Sequence, residues 1–187
     1  MLVIGNGESR KNINITLYDD DRIGCNAIHR DLFVNHLVCV DRRMVKEALD
    51  NNVTSHIYTR PDWANDYKGV LTVPELPYNG TERWDEPFQW GSGPYAVLLA
   101  AKLDTNIKLV GFDLNSKTKT VNNIYKDTSG YDAGTKRPVD PRYWIHQIGK
   151  VFSLYKKCKF TIYNDAEWTL PNAWKYPNVS LDNITNL

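Results

Sequence analysis

Leu2-Val3-Ile4-Gly5-Asn6-Gly7-Glu8-Ser9-Arg10 follows the initial Met1, and the reading of this stretch decides the fold. Three apolar residues that break at once into a glycine pair are how a parallel sheet opens when the turn behind its first strand holds a phosphate. Glycines at positions 5 and 7 let backbone N–H groups approach such a group closely. Asn6 adds a side chain that both donates and accepts.

Working outward, the rest of the chain alternates in the same way. Arg22 to Ala27 reads as a second strand. His36 to Val40 is a third, an almost continuous apolar run ending at Asp41, as expected of a strand covered on both faces. Val45 to Asn51 has the spacing of a short helix, and His56 to Thr59 and Gly69 to Pro74 read as further strands. The stretch from Glu75 to Gln89 is rich in proline and reads as loop. Gly91-Ser92-Gly93-Pro94 then opens the strongest helix, Tyr95 to Leu103, with Ser92 or Gly93 near its cap and Pro94 in its first turn. Ile107 to Phe112 is a strand ending at Asp113, Arg142 to Lys157 returns to helical spacing, and Phe160 to Tyr163 is a last strand. Lys11 to Thr16 leaves room only for a short first helix, and the tail from Asn164 reads as an irregular cover. The polar stretch 115–140 is long for a connection and reads as a flexible lid.

Strands alternating with helices predict an α/β fold: a single Rossmann-like domain over 1–187, a mostly parallel sheet with helices on both faces and a lid. In such sheets ligands bind beyond the carboxyl ends of the strands. The residues at those ends are Asn6, Asn26, Asp41 and Asp113, with Ser92 nearby.

With 187 residues, 42% of them hydrophobic, the chain can bury one sizeable core. Its 23 basic and 22 acidic residues leave a formal net charge of +1 and no broad field for polyanions, so nucleic acid is not an expected partner. Cys25, Cys39 and Cys158 are widely spaced within or beside apolar runs, which suits buried reduced thiols rather than a zinc site. No apolar run approaches the roughly 20 residues of a membrane span, and a cytoplasmic protein is expected.

The turn is not a dinucleotide fingerprint. Arg10 stands where the third glycine belongs, and the second strand ends in Asn26 where an acid for the ribose is needed. The glycines and asparagines suit a mononucleotide instead. The tryptophans read first as core and rim packing, with Trp84 and Trp90 the two placed for sugar stacking.

Taken in order, Gly5-Asn6-Gly7-Glu8-Ser9, Gly24-Cys25-Asn26, Val38 to Asp41, Gly91-Ser92-Gly93-Pro94-Tyr95 and Leu109 to Asp113 resemble the bacterial sialyltransferases typified by the Campylobacter lipooligosaccharide enzymes. That family carries a GNGxS turn, an RCN strand end, a TSGVY helix start and a GID strand end in this order. The resemblance implies a CMP-linked sugar donor, with Asn6, Asn26 and Ser92 on the nucleotide and Gly5, Gly7, Ser9, Asp41, Gly93 and Asp113 around it. It also implies that His146 of Tyr143-Trp144-Ile145-His146 is the general base, a role suited to imidazole. Tyr125 and Tyr131 stand in for the family's lid tyrosines. Neither a cofactor nor a metal is implied. Gln89 lies near the position of the family's arginine and Asp41 replaces an asparagine, so an anionic donor meets one cation fewer and one acid more.

The ending Gly111-Phe112-Asp113-Leu114 also resembles hydroxymethylpterin diphosphokinase-like domains. On that resemblance Asp41 and Asp113 are Mg²⁺ ligands of a phosphotransferase, although Asp at a strand end is equally a helix cap. A nucleotide-binding protein without catalysis is the third reading. The expected partners are a nucleotide-sugar or nucleotide and a glycan or small-molecule acceptor, with room left for a homo-oligomer.

Overall fold

All eight strands among the described residues run in the same direction. The computed structural model describes residues 1–116 and 120–187. Its strands are β1 (Leu2–Ile4), β2 (Arg22–Cys25), β3 (His36–Val38), β4 (His56–Thr59), β5 (Leu71–Thr72), β6 (Asn106–Val110), β7 (Lys159–Asn164) and β8 (Val179–Asn183). They form one parallel sheet in the order β5-β4-β3-β2-β1-β6-β7-β8, flanked by α1 (Arg42–Asp50), α2 (Pro61–Ala64), α3 (Ser92–Leu103) and α4 (Arg142–Leu154). The architecture is α/β and Rossmann-like.

The first strand stands inside the sheet rather than at its edge. Leu2, Val3 and Ile4 pair with Arg22, Ile23 and Gly24 on one side and with Lys108, Leu109 and Val110 on the other. Strand order reverses across β1, which makes the carboxyl ends of β1 and β6 the topological switch point where such sheets bind ligands.

Alternation along β1 divides the core in two. Val3 packs with the α3 and α4 side of the sheet, and Leu2 and Ile4 pack with the α1 side, all three fully buried. The apolar surface of α3 packs under β1 to β3 and against α4, which is why the helix can be hydrophobic all round. In α1, Met44, Val45 and Ala48 form a single buried stripe, and Asp41 caps the helix by accepting from the Arg43 N–H at 2.9 Å.

Three expectations about local structure change. The short first helix is replaced by two 3-10 turns, Glu8–Arg10 and Ile15–Leu17, in a stretch too rich in Asn to sustain an α-helix. The second strand stops at Cys25 because Asn26 takes φ +53°, a left-handed geometry that asparagine tolerates. The tail is more regular than expected: Val179 to Asn183 pairs with Phe160 to Asn164 as β8. An edge strand needs no continuous apolar run, so its polar composition hid it. The tail also covers the core, with Trp174 fully buried, its ring edge-on to Phe152 at 5.4 Å and its Nε1 donating to Ile145 O at 2.9 Å.

At the opposite end of the sheet, His36 and His56 start neighbouring strands with their rings stacked 5.6 Å apart, and His36 Nδ1 lies 3.1 Å from Tyr58 Oη. Burial, and then the His56 charge, hold the His36 pKa below the ordinary imidazole value. The unfolded chain therefore takes up this proton first as pH falls, and stability present above about pH 6.5 is lost as pH drops through the folded pKa. Urea midpoints should fall between pH 7.5 and 5.5 by more in the wild type than in His36→Asn. Equal falls would place the effect elsewhere.

Candidate functional site

A cavity of about 300 Å³ opens at the switch point, between the turn after β1, the ends of β2, β3 and β6, the start of α3 and the first turns of α4. Gly5, Asn6, Gly7, Asn26, Asp41, Ser92, Gly93 and Asp113 all line it, so the residues expected around a nucleotide converge apart from Ser9. Added to them are Phe112, Asn122, Asn123, Tyr143, Trp144 and Ile148. Among the described lining residues there is no Lys, Arg or His.

The glycine turn is a splice between two strand ends rather than an open cradle. Gly5 N–H donates to Val110 O at 2.8 Å and Gly7 N–H to Gly111 O at 2.9 Å. Glu8 N–H donates to Asn122 Oδ1 at 2.7 Å and Ser9 N–H to Asp113 Oδ2 at 2.9 Å. Asp113 thus occupies the anion position at the start of the 3-10 turn, where its Oδ1 also accepts from Ser9 Oγ at 2.5 Å. Side-chain-free Gly7 makes room for this carboxylate, whose atoms lie within 2.6 Å of where a Cβ would stand. These four donors are spent within the protein, which leaves the Asn6 N–H as the turn's unspent donor among the described residues, and Ser9 faces Asp113 instead of the cavity.

Other donors come from elsewhere. Ser92 Oγ accepts from the Val40 N–H at 3.0 Å and donates to Asn26 Oδ1 at 2.8 Å. That bond fixes the Asn26 amide and leaves its Nδ2 with no protein acceptor among the described residues. Asn6 Nδ2 donates to Cys25 O at 3.2 Å, while its buried Oδ1 has no partner. The first-turn N–H groups of Ser92 and Gly93 have no intrahelical acceptor, and Pro94 has no N–H to leave unpaired. Positive helix-end potential therefore reaches a cavity with no cationic side chain among its described lining residues.

Both acids of the cavity are already committed. Asp41 caps α1 and pairs with Arg43 at 2.8 Å, and the Arg43 hydrogen bond holds its carboxyl below the usual range. Asp113 is 6% exposed and tied to Ser9. Among the described residues no three His, Cys, Asp or Glu side chains gather as metal ligands. Burial pushes the Cys25 thiol up to about 12 and the Tyr143 phenol up to about 12, so both stay protonated at neutral pH.

No family model, curated protein or solved structure matches this chain.

Of the stretch read as a lid, Lys117 to Lys119 lie outside the described residues. The remainder from 120 to 140 has no helix or strand and is clipped over the turn. Ile124 N–H donates to Asn6 O at 2.9 Å, Lys126 pairs with Glu8 at 2.8 Å, and Arg30 reaches Thr128 Oγ1 and Ser129 O at 2.8 Å each. Tyr125 and Tyr131 do not line the cavity. Tyr125 is buried, its hydroxyl donating to Asp31 and accepting from Arg10 Nη2 at 2.9 Å. Tyr131 Oη accepts from the Ala27 N–H at 3.3 Å. Both fasten the segment down, and Asn122 and Asn123 are its cavity residues.

His146 is likewise absent from the lining. Trp144 and Ile148, one turn apart on α4, face the cavity; His146 lies about 200° round from Trp144 but only three positions from Tyr143, hence beside it on the flank. Its Nε2 binds Asp85 Oδ1 at 2.7 Å, and its ring lies 5.4 Å from Trp84. Asp85, in the proline-rich loop, is buried and also accepts from Tyr78 Oη at 2.8 Å and Glu82 N–H at 3.1 Å. Burial opposes its charge, yet hydrogen bonds from His146, Tyr78 and Glu82 hold the carboxyl below the usual range. Gln147, fully buried, secures the same loop by donating to Trp84 O at 3.0 Å and Gln89 O at 3.2 Å. Sequence reasoning missed the roles of Asp85 and Arg10 because the partners that define them, His146 for Asp85 and Asp31 and Tyr125 for Arg10, are distant in the chain.

Proposed function

We propose that the cavity binds a nucleotide and that the chain is a nucleotide-sugar glycosyltransferase of the sialyltransferase-like type, with a CMP-linked donor. The observation that carries the reading is the convergence of Asn6, Asn26 and the Ser92-Gly93 helix start on one cavity with an aromatic wall at Trp144. Amides in fixed orientations suit the edge of a neutral base, and the wall suits its face. A single phosphate fits the α3 N-terminus. Because no cationic side chain lines the cavity among the described residues, a monophosphate-linked donor suits it better than a diphosphate-linked one.

The acceptor then lies along α4, over Tyr143 toward Trp84 and His146. As the acceptor oxygen bonds to the anomeric carbon, the sugar–phosphate bond breaks, the hydroxyl proton passes to His146 Nδ1, and the α3 N–H groups take up charge on the departing phosphate. Asp85 acts as a positioning residue, since its bond to Nε2 leaves Nδ1 for the proton.

Thermal-shift measurements with CMP, UMP, GMP and AMP test the binding step. CMP should raise the melting temperature, and Asn26→Ala should weaken binding about 10- to 100-fold, the worth of one or two buried hydrogen bonds. Unmoved melting with every nucleotide would refute the reading. The position of His146 beside the cavity rather than in it favours a second reading, a nucleotide-binding protein without turnover. Binding of CMP with no hydrolysis or transfer from CMP-sialic acid and other CMP-sugars would select it. With Asp41 and Asp113 both committed, a Mg²⁺-dependent phosphotransferase gains no support from the site.

A further inference from the structure

The C-terminal ends of α3 and α4 form a rim far from the cavity, on the side of the sheet where the strands begin. Cys158 ties the two ends together: its Sγ donates to Ala101 O at 3.6 Å and Asp104 O at 3.5 Å, and Lys159 N–H donates to Thr105 O at 2.7 Å. Asn178 Nδ2 holds the carbonyls of Phe152, Tyr155 and Cys158 at 3.1 to 3.2 Å, so this turn is a built feature rather than a trailing loop.

The rim combines two properties that surface seldom has together. Leu103 and Leu154 are 49% and 46% exposed, although each ends a helix whose other apolar residues are mostly buried. Around them stand Lys102, Lys156, Lys157 and Lys159, all exposed, and none paired with a carboxylate among the described residues. From Arg142 to Tyr163 the sequence contains no acid. Of the bordering acids, Asp104 binds the Met1 ammonium at 2.8 Å and Asp20 binds Lys108 at 2.7 Å, while Asp19 and Asp21 are exposed on either side of Asp20.

We propose that this rim docks the protein on an anionic lipid surface, with the lysines at the headgroups and Leu103 and Leu154 dipping below them. Charge complementarity selects an acidic partner, and two exposed leucines amid the lysines select a bilayer over a nucleic acid, which offers nothing for them to enter. Docking by this rim leaves the carboxyl end of the sheet, and so the cavity, turned away from the membrane. The inference stands independently of what the cavity binds.

Co-sedimentation of the full chain with vesicles of phosphatidylcholine alone and with 30% phosphatidylglycerol, at 50 and 300 mM salt, tests it. Binding should require phosphatidylglycerol and weaken with salt. Lys156→Glu/Lys157→Glu should lower the partition coefficient at least about 25-fold, taking each cation near the surface as about fivefold. Leu103→Ser/Leu154→Ser should weaken it while leaving the salt dependence in place. Circular dichroism melts of both double variants confirm folding, as all four side chains are exposed. Absence of phosphatidylglycerol-dependent binding would overturn the proposal. So would binding insensitive to both variants, or tighter binding to a duplex DNA at the same salt that the leucine variant leaves unchanged.

Discussion

Gly5→Ala should leave little folded protein. A Cβ at this position would stand 2.3 Å from Gly111 O and 2.9 Å from Gly111 C. Both atoms are backbone, so no flexible side chain can swing aside. Gly111 itself has φ +73°, and its own Cβ would meet Gly5 O at 2.7 Å, so the two turns are fitted to each other's missing side chains. Parting them breaks the hydrogen bonds from Gly5 and Gly7 that join β1 to β6 at the middle of the sheet. Overpacking a core costs about 1 to 3 kcal/mol where side chains can adjust, and with backbone on both sides the loss should reach at least about 3 kcal/mol. Urea unfolding measures this directly. Gly93→Ala is the control, because its Cβ would meet only Phe112 at an ordinary 3.5 Å and should leave the protein as stable or up to about 1 kcal/mol more stable. A wild-type midpoint for Gly5→Ala would mean that the turns can separate at no cost.

The second large effect is expected at Arg10. Its side chain is buried, with Nε donating to Gly5 O at 2.8 Å, Nη2 to the Tyr125 hydroxyl at 2.9 Å, and Nη1 3.4 Å from Asp31 Oδ2. Arg10→Met keeps much of the volume and removes every donor. Asp31 is 44% exposed in its side chain and can return to water, so little of the cost lies there. The cost lies in Gly5 O, at about 1 to 3 kcal/mol for an acceptor left unsatisfied, and in the Tyr125 hydroxyl, which keeps its bond to Asp31 but loses its donor, at about 1 kcal/mol. A loss of about 2 to 4 kcal/mol should come with early proteolytic cleavage between 120 and 134, because Arg10 is what ties Tyr125 to the turn. Unchanged cleavage with lowered stability would show that the other clips, Ile124 to Asn6, Lys126 to Glu8 and Arg30 to Thr128 and Ser129, hold the segment without Arg10.

Why Arg10 was unreadable in the sequence is instructive. It sits in a polar stretch and looks like a solvated charge, and its partners lie 5, 21 and 115 residues away. Asp113 presents the same difficulty in reverse. Its place at the end of β6 was legible, because an apolar run that stops at an acid marks a strand end, and so was its convergence with Asn6, Asn26 and Ser92. Its direction was not, since that depends on Ser9 and on the space left by Gly7. Periodicity locates a residue along the chain but does not say which neighbour its side chain finds.

The same limit applied to His146. Helical spacing placed it on α4, and the structure sets it on the flank toward Asp85, a residue hidden in a loop whose prolines gave no sign of a buried carboxylate. Tyr78, Gly80 and Asp85 lie within eight positions of one another, but that the carboxylate sits against a bare Cα at Gly80 and under a tyrosine hydroxyl is visible only in the fold. Strand β8 was lost for a different reason. At the edge of the sheet Ser180 and Leu181 remain exposed, and the apolar run that betrays an interior strand never forms.

The pairing of Leu2, Val3 and Ile4 with Lys108, Leu109 and Val110 also sets a schedule for biosynthesis. Strand β1 gains its second neighbour only after roughly a hundred more residues have been added, about 5 to 20 s at ordinary elongation rates. Until then β1 has β2 alone beside it, and the Asn6 carbonyl waits for Ile124. The nascent chain must keep this apolar strand from straying for that interval, so a pause in translation between β5 and β6 would lengthen the time in which aggregation competes with folding.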